Sequence, residues 1–144
     1  MTIRFADLLE LNANLLPGQQ QQRAAQEFPS VVQNSHMEIW RPEEELPARG
    51  AHIWIGIASY SIPDLEMLDA IEAKLSREPT QNETIHLFDL SSLTDIGDFE
   101  KYLPGIGKVY QTPVIGIWED GVMKEKASGT AAKNWLVQRY QLSA

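Results

Sequence analysis

There is no cysteine in the 144 residues. Disulfides, thiolate nucleophiles, zinc–thiolate centres and iron–sulfur clusters are therefore excluded together. No run approaches about 18 consecutive apolar residues, so no segment reads as a membrane-spanning helix. The opening residues, Met1-Thr2-Ile3-Arg4-Phe5, do not form the charged start and apolar stretch of a secretory signal. A cytoplasmic protein is the expectation. Basic residues are few, 12 Lys and Arg against 20 Asp and Glu, for a formal net charge of -8. Such a surface repels nucleic acid and anionic membranes on average, and neither is expected as a partner. The imbalance is uneven, because Arg4, Arg23, Arg41 and Arg49 are the only basic residues before position 51. His36, His52 and His86 have no metal-ligand spacing, and no metal or cofactor is expected. Gly105-Ile106-Gly107 is not followed by the Lys-Ser/Thr pair of a phosphate-binding loop. No carboxylate pair has a context that suggests glycosidase chemistry.

Against these gaps stands an ordinary globular composition, 43% hydrophobic and 22% charged, enough for one domain with its own core. Residues 1–50 read as a helical extension and loop, and 51–144 as the main domain. Residues 3–16 form an amphipathic pattern, with Phe5, Leu8, Leu9, Leu15 and Leu16 near one face, Thr2 placed to cap it and Pro17-Gly18 to end it. A second, polar helix follows Gln19–Gln22 and is expected to stop before Pro29. His36–Trp40 reads as a short strand, and 41–50, with Glu43–Glu45, as a solvated loop.

The pattern changes at His52. His52–Ala58 is a short apolar run typical of a strand buried on both faces. Asp64–Arg77 is a helix with Leu65, Leu68, Ile71 and Leu75 as its buried stripe, acidic residues first and basic residues last. Thr84–Leu90 and Val114–Trp118 are strands, with a short helix expected around Phe99–Leu103 between them. Asp120-Gly121 is a hairpin turn leading into a return strand, Val122–Ala127. Gly129 precedes a last helix, Ala131–Tyr140, with Ala132, Trp135, Leu136 and Tyr140 near one face. The tryptophans are core candidates, Trp40 the least plainly. A parallel pair joined by a helical crossover, followed by an antiparallel hairpin, gives an α/β fold with a central mixed sheet flanked by helices.

Three landmarks in this order resemble the thioredoxin-like family over roughly residues 52–140. Strand 53–58 runs into Ser59-Tyr60-Ser61-Ile62-Pro63-Asp64 and a long helix, where thioredoxins carry Trp-Cys-Gly-Pro-Cys. Tyr60 matches the tryptophan, Ser61 the nucleophilic cysteine, Pro63 the proline and Asp64 the resolving cysteine. Thr112-Pro113 matches the cis-proline that precedes a strand beside that turn. Asp120-Gly121 and Gly129 match the family's hairpin turn and the glycine before its last helix. Ile55 stands where redox-active relatives keep a buried aspartate. The resemblance thus implies a thioredoxin-like fold with an N-terminal helical extension and without redox chemistry.

At the turn, Ser61 reads as the N-cap of the following helix, with Asp64 three residues on as a capping-box partner. Its other reading follows the serine-type glutathione transferases, in which a hydroxyl near this helix start donates to a bound thiolate. Tyr60, Ser61, Ile62, Pro63, Asp64, Thr112 and Pro113 together form the expected binding groove, because in relatives the backbone before the proline pairs with an extended substrate peptide. Simple local packing is the alternative for the same residues. The resemblance implies no catalytic residue, and a partner that is another protein or an extended peptide, with a second copy of the chain also open. A non-catalytic chaperone or assembly factor is the expected role; in general form the chain resembles the cysteine-free thioredoxin-like chaperones of hydrogenase maturation. The alternative is an enzyme that binds glutathione or another small thiol through Ser61. The N-terminal helix has two readings as well, packing on its own domain or presenting its apolar face to a partner.

Overall fold

The structure is a computed structural model that describes residues 3–14, 17–41, 45–78, 83–90, 105 and 111–142. Its described elements are α1 (Phe5–Asn14), α2 (Pro17–Gln33), β1 (Glu38–Ile39), β2 (Ala51–Ile57), α3 (Ile62–Arg77), β3 (Glu83–Asp89), β4 (Val114–Glu119), β5 (Val122–Ser128) and α4 (Thr130–Tyr140). The expected helix around Phe99–Leu103 and the Leu15–Leu16 end of the first helix lie outside the described residues, as does Thr2.

The strands form one mixed sheet in the order β1-β3-β2-β4-β5. β2 pairs in parallel with β3, Ile53 opposite Ile85 and Ile55 opposite Leu87. On its other side β2 pairs antiparallel with β4, Ile55 opposite Ile115. Strand alternation then sorts the side chains. Ile53, Ile55, Ile57, Ile85, Leu87 and Ile115 point to one face and are buried in a single apolar cluster. Trp54, Phe88, Val114 and Trp118 point to the other, where Trp40 and Leu90 join them in a second cluster. Burying each large apolar side chain contributes roughly 1.5–3 kcal/mol, so both faces stabilise the sheet. Gly56 is required at its position, since a Cβ there would come within 2.7 Å of the Phe88 ring.

All four described helices contribute to the first cluster. α1 supplies Phe5 and Leu8, α2 supplies Phe28, Val31 and Val32, α3 supplies Leu65, Leu68 and Ile71, and α4 supplies Leu136 and Tyr140. Phe5 and Leu8 of the apolar face of α1 are therefore packed on this chain's own core. At the start of α1 the Asp7 carboxylate accepts the Arg4 N–H at 2.8 Å. The Tyr140 hydroxyl donates to Glu83 at 3.1 Å, and Arg139 pairs with the same carboxylate at 2.6 Å. Burial, with Glu83 beside it, pushes the Tyr140 phenol far above its usual range.

Two boundaries differ from the sequence reading. α2 opens at Pro17, ahead of the glutamine run, and a proline suits a first helical turn whose N–H groups have no intrahelical partner. α2 also does not stop before Pro29 but runs through it to Gln33. The reason is tertiary: Ala24, Phe28, Val31 and Val32 are all buried and share a helical stripe that crosses Pro29. The Pro29 ring is on the exposed side, away from that stripe.

Candidate functional site

β2 delivers the chain to a turn, Ala58–Ser61, that opens α3. Ser61 is the N-cap of α3, with extended φ and ψ of -82 and 115. Its hydroxyl oxygen accepts the Asp64 N–H at 3.4 Å, a long bond, and its carbonyl accepts the Leu65 N–H at 3.0 Å. Pro63 occupies the first turn, where no N–H is needed. The capping box is not reciprocal, however. The Ser61 N–H is already donated to the Ala58 carbonyl at 2.9 Å. Asp64 instead turns inward, 4% exposed, and its carboxylate accepts the Ala58 N–H at 3.1 Å.

Sequence reasoning missed the residues that fix this turn from outside. Ser59 is fully buried. Its N–H and hydroxyl both reach the Asp89 carboxylate at the end of β3, at 3.1 and 2.6 Å. Its carbonyl accepts the side-chain amide of Asn12 in α1 at 3.1 Å. The signal for Asn12 was its place four residues after Leu8 on the buried face of α1, where an amide needs a partner.

The segment before β4 comes to the same place. The Thr112–Pro113 peptide bond is cis. The Pro113 carbonyl accepts the Gly129 N–H at 2.8 Å, joining this segment to the start of α4. Gly129 has φ of +62, and the Gln111 side chain occupies the space a Cβ would take. Pro63, Asp64 and Met67 of α3, Gln111, Thr112 and Pro113 before β4, and Gly129, Thr130 and Lys133 of α4 line one cleft of about 370 Å³. A neighbouring cleft of about 400 Å³ shares Pro63, Met67 and Lys133 and continues between α3 and α4 to Val137 and Leu142. Of the seven sequence-selected residues, Pro63, Asp64, Thr112 and Pro113 meet in the first cleft. Tyr60 and Ser61 of the turn and Ile62 at the start of α3 do not line it. Tyr60 is 42% exposed, whereas Ile62 is half-buried.

Thioredoxin O1 from Arabidopsis thaliana matches this structure at 16% identity with a TM-score of 0.51, covering 76% of this chain and 99% of that one. Thioredoxin O2 from the same plant matches at 16% identity with a TM-score of 0.49, covering 73% and 94%. The chain is a cysteine-free protein of thioredoxin-like fold. No family model matches its sequence, and no curated protein matches it significantly. At such low identity the likeness carries the fold alone. The chemistry is settled by composition: a thioredoxin-like sheet without a thiol cannot form or break a disulfide. Ile55 is fully buried in the first cluster, with no titratable group to relay a proton. Among the described residues no group of three His, Asp or Glu side chains is arranged to hold a metal ion. No described helix is long and apolar enough to cross a membrane.

Proposed function

We propose that the chain is a redox-inactive binding protein, a chaperone or assembly factor. It takes an extended segment of another protein into the cleft between Pro63, Thr112 and Lys133. The observation that carries this reading is the meeting of the α3 start with the Thr112–Pro113 segment in one open cleft. Met67 and Pro63 offer apolar contact there, and Gln111, Thr130 and Lys133 offer polar contact. Among the described residues none hydrogen-bonds the Thr112 N–H or carbonyl, which supports pairing with an incoming strand. A cytoplasmic setting is part of the same proposal.

The test is capture of a partner from the source lysate by wild type and by Thr130→Trp, which fills the cleft from an exposed position. The reading expects a partner that Thr130→Trp loses, with affinity lowered about tenfold or more, a contact-centre effect, and an unchanged melting temperature. A partner retained equally by both forms would refute the cleft. Glutathione is the discriminating ligand for the enzyme reading, because a ligand of the native state raises its stability. A saturable rise in melting temperature, abolished by Ser61→Ala, would replace the binding reading with that one.

A further inference from the structure

We infer that Asn12 of α1 is a positioning residue for the binding turn, so that the N-terminal helix sets the conformation of the cleft's α3 wall. The inference rests on the proposed cleft for its functional meaning, but its structural content stands apart from it. Three side chains from three elements converge on two consecutive residues, Ala58 and Ser59. Asp64 of α3 accepts from Ala58, Asp89 of β3 accepts twice from Ser59, and Asn12 of α1 donates to the Ser59 carbonyl. The first two arrive from elements that adjoin the turn in the sheet and in the chain. Asn12 arrives from 47 residues away in sequence. It is fully buried between apolar neighbours of α1, Phe5 and Leu8 lying on the same face.

A buried amide costs free energy unless it is hydrogen-bonded, and an apolar residue there would pack without that requirement. Its placement against one backbone carbonyl therefore serves position rather than packing. The Ser59 carbonyl is also a group that neither carboxylate can hold, since carboxylates only accept. Without the Asn12 donor, the Ser59–Tyr60 peptide plane has one restraint fewer on the side facing α1. Tyr60 and Ser61 follow directly, and Ser61 caps the helix whose first turn, Pro63 and Asp64, lines the cleft.

Native-state hydrogen exchange of the free protein tests this. Asn12→Ala should speed exchange of the Ala58, Ser59 and Ser61 amides about tenfold, the worth of one hydrogen bond in local opening. Amides of β2 from Ile53 to Ile57 should change much less. Leu8→Ala removes packing from the same helix while keeping the Asn12 donor, and should speed exchange of the turn no more than its surroundings. If Asn12→Ala does not fold, Asn12→Leu keeps the volume, removes the donor, and should give the same local pattern. Unchanged turn amides, or acceleration spread evenly over the chain, would overturn the inference. In a partner-binding assay, loss of affinity on Thr130→Trp but not on Asn12→Ala would leave the cleft standing and remove Asn12 from its control. The reverse pattern, with local exchange altered and no effect of Thr130→Trp, would leave Asn12's structural role and refute the cleft.

Discussion

Acidification from neutral pH should destabilise this protein through one histidine, His86. It lies on the second face of the sheet, 7% exposed, stacked on Trp54 at 4.7 Å between centroids. His52 donates from Nε2 to the Arg49 carbonyl, which can only accept, so in the neutral ring Nδ1 of His52 is the acceptor. His86 Nε2, 3.0 Å away, is then the donor, and its own remaining nitrogen is the one that protonation would use. Burial, and then the charge of a protonated His52, push the His86 pKa down to about 4. The unfolded chain holds histidine near its ordinary value of about 6.5. Because the folded value is the lower one, the unfolded state binds the proton more tightly. His86 thus contributes its full stability above about pH 6.5, and that contribution is lost as pH falls toward 4. Each tenfold change in proton affinity is worth about 1.4 kcal/mol, so the full loss is on the order of 3 kcal/mol. Urea unfolding at several pH values between 7.5 and 4.5 would measure it, against His86→Phe, which keeps an aromatic ring on Trp54. Groups away from this pair titrate in both forms, so the difference between the two curves reports the His52–His86 pair. If the wild type and His86→Phe lose stability in parallel over this range, the reasoning is wrong.

Three further outcomes are expected. Pro29→Ala should stabilise the protein by about 1–2 kcal/mol in chemical denaturation, since a mid-helix proline costs up to about 3 kcal/mol and offsets about 1 by restricting the unfolded chain; a loss of stability would mean α2 does not run through that position. Gly129→Ala should destabilise by about 1–3 kcal/mol from backbone strain, and adding Gln111→Ala should recover only the part due to the collision between the new methyl group and the Gln111 side chain. Insulin reduction by dithiothreitol should proceed at the same rate with and without the protein, and any acceleration would point to chemistry that no residue of this chain accounts for.

The strands β2, β3 and β4 were legible in the sequence because they are short apolar runs that need burial on both faces. The apolar run His52–Ala58 implies a strand buried on both faces, and Asp120-Gly121 implies the hairpin, both by local physics. The α3 start was equally local, since Ser61 and Pro63 encode a cap and a first turn by themselves. The errors share a cause. Pro29 was read as a stop because its local cost is real, and the stripe of Ala24, Phe28, Val31 and Val32 that overrides it acts only against a sheet. Asp64 was read as a capping partner by its spacing from Ser61, and the turn's own Ala58–Ser61 bond left it the Ala58 N–H instead.

Cysteine content and the succession of strands and helices along the chain were properties of the sequence alone: composition forbids thiol chemistry, and apolar runs and stripes mark the elements. Which side chains hold the turn was not, because Asn12, Ser59 and Asp89 are separated by dozens of residues and carry no mutual spacing rule. Their hydrogen bonds reach about 3 Å, so only the closed fold could bring the donor of one element to the carbonyl of another.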